Sequence, residues 1–102
     1  TIPMLSIGGV GVVSVAAHVI GEEMKSMIDS FFHGDLVKAA KIHRQLIPVV
    51  NKLFQSPSPA PVKAALEGIG VSTGGVRLPL VPISEAEKQE LMQEINIFQA
   101  NI

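Results

Sequence analysis

The three histidines, His18, His33 and His43, are the first side chains to consider for chemistry, because neutral imidazole is a common metal ligand. Metal sites usually bring His, Cys, Asp or Glu together at short spacings on one face of the fold. These histidines have no such spacing, and the chain has no cysteine. We therefore expect no metal site and predict structural positions for all three.

Three glycines near the N-terminus could suggest a phosphate-binding loop, because Gly8, Gly9 and Gly11 surround Val10. A glycine loop that binds phosphate follows a strand and opens a helix. Here the glycines precede the β-branched run Val12–Val15 instead. This order favours a structural turn over a phosphate site.

Charge and hydropathy exclude two other classes of partner. Eight Lys and Arg against nine Asp and Glu leave a net charge of −1, so no basic surface for a nucleic acid is expected. The longest mostly apolar run, Val10–Ile20, is interrupted by polar and glycine residues and is shorter than the roughly 20 residues that span a bilayer. Without cysteine there is no disulfide framework, and a cytoplasmic location is expected.

The residue pattern of the N-terminal half predicts one strand and two helices. The β-branched run Val12–Val15 is typical of a strand buried on both faces. Helical spacing then predicts a helix from near His18 to His33, ending at Gly34, through Ile20, Met24, Met27, Ile28 and Phe31. Asp35 is placed to cap a second helix, kinked at Pro48, with the apolar face Leu36, Ala39, Ala40, His43, Leu46, Ile47, Val50, Leu53 and Phe54.

The C-terminal half predicts two shorter helical stretches. The proline-rich segment 56–60 is a stiff connector, and Pro61 begins a helix that buries Val62, Ala65, Leu66 and Ile69 and ends at Gly70. Residues 71–83 are predicted to be irregular, with Arg77 tied to a carboxylate or carbonyl partner. Ser84 and Glu87 form a capping-box pattern before a last helix with Leu91, Ile95, Phe98 and Ile102 on one face.

A single strand among about four helices is the anomaly in this prediction. A lone strand cannot satisfy its own N–H and C=O groups, and burying them unpaired costs several kcal/mol by order of magnitude. The mainly α chain is therefore expected to be a fragment whose strand pairs with strands of a larger fold.

Three segments carry a resemblance to a known family: Gly8–Val15, Pro57–Leu66 and Val76–Ile83. In this order and spacing they resemble the C-terminal end of 4-hydroxy-tetrahydrodipicolinate synthases, also called dihydrodipicolinate synthases. The resemblance implies an α/β fold, a (β/α)8 TIM barrel with a helical C-terminal extension, and a complete barrel takes roughly 250 residues. By resemblance, residues 1–34 are the last barrel unit, with strand 8 and helix 8, and residues 35–102 are the extension.

The family's chemistry, as the resemblance implies it, is condensation of pyruvate with aspartate semialdehyde for diaminopimelate and lysine biosynthesis. A lysine on the sixth strand forms a Schiff base with pyruvate, a tyrosine moves protons, and no cofactor is needed. This chain has no tyrosine, and its lysines all fall on predicted helices: Lys25, Lys38, Lys41, Lys52, Lys63 and Lys88. We expect no catalytic residue here and no activity of the chain alone.

One binding role carries over by resemblance. Barrel active sites lie at the C-terminal ends of the strands, here Val13–Ala16. In the family, the residue that matches Val13 presents its backbone carbonyl to pyruvate. The resemblance also implies a homo-oligomer, commonly a homotetramer.

Two alternatives remain open. Within the superfamily, an N-acetylneuraminate lyase or a ketodeoxysugar aldolase is possible, although Pro57–Leu66 and Val76–Ile83 favour the dipicolinate branch. From another class, an independent helical interaction module without catalytic ancestry predicts that Val12–Val15 is helical or lies in a small core. The fragment hypothesis predicts instead that this segment is a strand, or is exposed and aggregation-prone when unpaired.

Overall fold

The computed structural model describes residues 1–100 and contains five α-helices, with no β-strand in that range. They are α1 (Ile2–Ser6), α2 (Ala17–Phe32), α3 (Leu36–Leu53), α4 (Ala60–Gly68) and α5 (Glu85–Ala100). The mainly helical prediction is confirmed. The predicted number of about four helices is one too few, because the segment before the glycines also forms a helix.

The corner between α2 and α3 is built from two consecutive residues. Gly34 has a φ of +85°, and the N–H of Asp35 donates to the Ser30 carbonyl at 2.9 Å, which closes α2 with a Schellman motif. The Asp35 carboxylate then accepts from the N–H of Lys38 at 3.1 Å and caps α3. Both the predicted helix end and the predicted cap are confirmed.

The first of two compact units comprises Thr1–Ile47. Helix α1 packs on α2, and the buried apolar side chains are Leu5, Ala16, Ile20, Met24, Met27, Ala39 and Leu46. Burial of a full-sized apolar side chain contributes about 1.5–3 kcal/mol. Ile20 has φ −123° and ψ 31°, so α2 bends within its first turn while Ile20 remains in the core.

Helix α3 runs through Pro48 as one helix, as predicted, and contributes to both units. Its buried line is Ala39, Leu46, Val49 and Leu53. Val49 is completely buried and was missed, whereas Leu36, Ile47 and Phe54 are exposed. Two neighbouring lines of apolar residues both satisfy helical spacing, and periodicity alone could not tell which of them would be covered.

The second unit begins at Pro48 and is dominated by packing of α4 on α5. Its core holds Leu53, Val62, Ala65, Leu91, Ile95 and Phe98. The helices approach closely where a Cβ on Gly68 would lie 2.7 Å from Met92 Sδ. Ile69 follows the end of α4 and is exposed, contrary to prediction, and the predicted role of Ile102 lies outside the described residues.

Only half of the predicted capping box forms at the start of α5. The N–H of Glu87 donates to Ser84 Oγ at 3.1 Å, as predicted. The Glu87 carboxylate does not return to the Ser84 N–H, because its Oε1 accepts from the Ser56 hydroxyl at 2.8 Å. Glu87 Oε2 is buried without a partner among residues 1–100. This carboxylate therefore ties α5 to the proline-rich connector.

The division between the compact units falls at Ile47 and Pro48. The predicted division between residues 1–34 and 35–102 separates a barrel unit from an extension rather than two compact units, and it stays a prediction.

Candidate functional site

A glycine turn directs the chain out of α1 towards the Val10–Val15 segment. Gly8 has a φ of +108°, and the N–H of Gly9 donates to the Met4 carbonyl at 2.9 Å. A Cβ on Gly9 would lie 2.8 Å from that same carbonyl oxygen. These glycines end a helix, as the turn interpretation predicted, and their geometry is that of a helix C-terminus rather than a phosphate loop.

The Val10–Val15 segment is irregular, so the predicted strand is wrong for this chain, whereas the exposure expected of an unpaired segment is confirmed. Val13 is 104% exposed and Val10 is 88% exposed, whereas a strand of a parallel sheet is covered on both faces. A strand forms only through hydrogen bonds to a neighbouring strand, and residues 1–100 supply none. The missing partner is thus the physical reason for the difference.

Ser14 fixes the turn from this segment into α2. Its Oγ accepts from the Ala16 N–H at 3.2 Å, and its carbonyl accepts from the Ala17 N–H at 3.1 Å. The sequence reasoning missed this role. A serine shortly before a helix start was the available signal, because its hydroxyl can satisfy a free amide there.

Val13 therefore lies between a fixed helix end and a fixed helix start. Its carbonyl accepts no hydrogen bond from any residue in the range 1–100, and the same is true of Val10, Gly11 and Val12. The arrangement can offer backbone acceptors, but the segment carries no nucleophile, acid or base apart from the Ser14 hydroxyl.

The other candidate groups are not brought together at this segment. All six lysines lie on helices, as predicted. His18 lies at the start of α2 and His33 at its end, with Nδ1 2.7 Å from the Asp29 carbonyl oxygen, while His43 lies within α3. Residues 1–100 contain no cluster of His, Cys, Asp or Glu that could hold a metal.

Arg77 differs from its prediction. The side chain is exposed and has no carboxylate or carbonyl partner within residues 1–100, although its own carbonyl accepts from the Leu80 N–H at 3.0 Å. Water can solvate an exposed guanidinium, so Arg77 does not need the predicted carboxylate or carbonyl partner. The rest of 71–83 is irregular, as predicted. Among residues 1–100, none of the five helices could serve as a membrane span.

Comparison with known proteins identifies the family. The sequence profile of the dihydrodipicolinate synthetase family matches residues 1–98. The chain belongs to this family. It is 53% identical over 96 residues to 4-hydroxy-tetrahydrodipicolinate synthase 1 of Halalkalibacterium halodurans, covering 94% of this chain and 32% of that relative.

Solved structures of dihydrodipicolinate synthases also match. That of the Bacillus anthracis enzyme superposes with a TM-score of 0.89 at 47% identity and covers 94% of this chain and 33% of its own. The Thermotoga maritima enzyme gives a TM-score of 0.92 at 37% identity, covering 97% and 34%. The chain thus spans about a third of the length of the synthases it matches.

The alternative of an independent helical module made its own prediction about Val12–Val15. These residues are neither helical nor part of a core, since Val13 is fully exposed. Together with the match to the synthetase family over residues 1–98, this observation removes the reason for that alternative.

Proposed function

We propose that this chain is the C-terminal portion of a 4-hydroxy-tetrahydrodipicolinate synthase, a lyase that condenses pyruvate with aspartate semialdehyde through a Schiff base. The observation that carries the proposal is the family match over residues 1–98, combined with coverage of only 32% of the Halalkalibacterium synthase. A third of such an enzyme is too short for a complete barrel of roughly 250 residues. The chain alone is inactive under this proposal.

Within the Val10–Val15 segment, Gly11–Val15 is proposed to become the eighth strand of the barrel, with the Val13 carbonyl facing pyruvate. Support comes from its exposure and from carbonyls that no residue in the range 1–100 uses. The turn made by Ser14 leads directly into α2, which is the order of a barrel strand followed by its helix. Residues 1–34 would then form the last barrel unit and residues 35–102 the extension.

The Schiff-base lysine and the proton-transferring tyrosine are proposed to come from the other two thirds of the enzyme. The chain has no tyrosine, and none of its lysines lies in the Val10–Val15 segment. A lysine that forms a Schiff base is usually desolvated so that its neutral amine is available. All six lysines lie on helices.

The second substrate, the cellular location and the oligomeric state of the enzyme are parts of the same proposal. The named relatives are dipicolinate synthases, which favours aspartate semialdehyde over the substrates of an N-acetylneuraminate lyase or a ketodeoxysugar aldolase. A cytoplasmic homo-oligomer is the arrangement that the family resemblance favours.

The first experiment joins this chain to the N-terminal two thirds of the Halalkalibacterium synthase in one polypeptide. We expect borohydride to trap a pyruvate adduct on the fused enzyme, and aspartate semialdehyde to be consumed. The 102-residue chain alone, checked by intact mass, should trap nothing. A fused, folded enzyme that neither traps pyruvate nor consumes aspartate semialdehyde would contradict the proposed function.

A second experiment on the fused enzyme tests Val13. Replacing Val13 with Pro removes its N–H and restricts φ, which displaces the carbonyl, whereas Val13→Ile keeps the backbone. We expect Pro to raise the KM for pyruvate at least about tenfold, a loss of about 1.4 kcal/mol from moving a carbonyl that contacts the substrate, and Ile to leave it within a few fold. An unchanged KM in the Pro variant means that Val13 does not bind pyruvate.

A further inference from the structure

A small cavity lies in the second unit, where the first turns of α4 and α5 border the irregular segment 71–83. Its volume is about 180 Å³, below the roughly 300–1,000 Å³ of pockets that hold drug-sized ligands. The apolar part of its wall is formed by Ala60, Ala64, Val76, Pro82 and Ile83. This α4–α5 cavity can therefore hold only a small molecule with a short carbon body.

Two lysines from different helices line the α4–α5 cavity. Lys63 of α4 and Lys88 of α5 are both half-buried. Neither side chain forms an ion pair or a hydrogen bond with any residue in the range 1–100. Partial burial removes water from a charged group, and an opposite charge usually offsets that cost. The pair of ammonium groups therefore favours an anion in the cavity.

The carboxylates at this cavity do not neutralise the two lysines. Glu67 lies one turn after Lys63 on α4, a spacing that allows an ion pair, yet its Oε1 accepts from the Thr73 hydroxyl at 2.9 Å instead. Glu85 also lines the cavity, but it is exposed and has no ion pair within residues 1–100. Solvent and salt screen exposed charges more than half-buried ones, so these carboxylates oppose an anion less than the lysines attract it.

The larger cleft in the first unit offers no equivalent pair of cations. Its volume is about 490 Å³, and Lys25, which lines it, is already paired with Asp29. The other lysine of that cleft, Lys38, is exposed. A lysine that is paired or fully hydrated gains less from a bound anion than a half-buried lysine without a partner.

We propose that the α4–α5 cavity binds a short dicarboxylate, with one carboxylate on Lys63 and the other on Lys88. Each carboxylate would accept charge-assisted hydrogen bonds from one ammonium group, and the carbon chain between them would lie against the apolar wall. Such a ligand links the first turns of α4 and α5. The proposed reaction does not use this site, so the inference does not rest on the proposed function.

The test titrates the 102-residue chain with succinate at neutral pH and follows its amide NMR spectrum, with sodium chloride at equal ionic strength as the reference. We expect saturable shifts at the amides of Thr73, Gly75 and Val76, which line the cavity. Butyrate has a similar carbon chain and a single carboxylate, so it should bind at least about tenfold more weakly.

Four variants locate the binding and test its sign. Lys63→Met and Lys88→Met should each weaken succinate binding at least about tenfold, because each removes a hydrogen bond between charged groups. Lys41→Met makes the same charge change on α3, outside the cavity, and should stay within about twofold. Glu85→Gln removes a repelling charge and should tighten binding about twofold to fivefold. Circular dichroism should show equal helicity in all four variants.

Each result supports or overturns the dicarboxylate site. Weakening by the two cavity lysines, with no effect of Lys41→Met, supports it. Absence of saturable shifts at the cavity overturns it, and so does equal weakening by Lys41→Met and Lys63→Met, which would indicate general charge attraction. Inorganic phosphate that binds as tightly as succinate would identify a simple oxyanion site and reject the dicarboxylate.

Discussion

The Val10–Val15 segment and the α4–α5 pair are both rich in apolar residues, yet they have opposite surroundings. Along α5, Leu91 and Ile95 are each 1% exposed, whereas Val13 is 104% exposed. Helices satisfy their backbone hydrogen bonds internally, but a strand depends on neighbours. The helical pair therefore satisfies its own backbone, while the valine segment remains unpaired within residues 1–100.

Hydrogen exchange tests the difference between the two regions most directly. Amides of Val10–Val15 should exchange with an opening free energy near zero, because none of them donates a hydrogen bond within residues 1–100. Amides near Leu91 and Ile95 should need several kcal/mol, up to the global free energy of unfolding. Equal protection in both regions would mean that the isolated chain pairs or buries the valine segment.

Truncating one apolar residue in each region compares how much each contributes to the free energy of unfolding. Leu91→Ala should lower the free energy of unfolding by about 2–5 kcal/mol, because it leaves a cavity in a packed core. Val13→Ala in the isolated chain should change it by less than about 0.5 kcal/mol. Urea denaturation followed by circular dichroism measures both, and a large cost at Val13 would contradict its exposure.

A substitution at Ser56 tests whether its hydrogen bond to Glu87 on α5 contributes to the free energy of unfolding. Ser56→Ala removes the 2.8 Å hydrogen bond and leaves both carboxylate oxygens of a partly buried Glu87 without a donor among residues 1–100. We expect a loss of about 1–3 kcal/mol in urea denaturation. Ser56→Thr keeps the hydroxyl and is the matched control, so an equal loss in both variants would place the cause in packing.

The smallest expected effect concerns the corner between α2 and α3. Gly34→Ala places a side chain at a φ of +85° and should cost about 1 kcal/mol. Gly21→Ala, inside α2, should stabilise by about 0.5–1 kcal/mol, because a Cβ there meets only Ala17 Cβ at 3.8 Å. Thermal denaturation distinguishes them by sign, and destabilisation at both positions would show that the bend at Ile20 does not tolerate the added side chain.

Patterns among residues close together in the sequence were sufficient to predict much of this fold. Asp35 and Ser84 were recognisable as caps because their hydrogen bonds reach only three residues along the chain. The course of α3 through Pro48 followed from an apolar pattern that stays in phase. These features depend on neighbours in sequence, which a sequence displays directly.

The remaining features depend on residues that are far apart or absent. The choice of Val49 over Ile47 for the core of α3 is made by tertiary contacts, and the Ser56–Glu87 bond joins residues 31 positions apart. The strand at Val12–Val15 failed for a different reason, since its β propensity had no partner among residues 1–100. The role of Val13 came from family resemblance, because a backbone carbonyl leaves no chemical signature in a sequence.

Asp35 has a consequence for the order of folding. Its N–H closes one helix and its carboxylate opens the next, over contacts no longer than five residues. Contacts this local cost little chain entropy, so the corner is expected to be formed already in the folding transition state. Asp35→Ala should then slow folding in a chevron experiment and leave the unfolding rate nearly unchanged. In the proposed full-length enzyme, the valine segment would be ordered last.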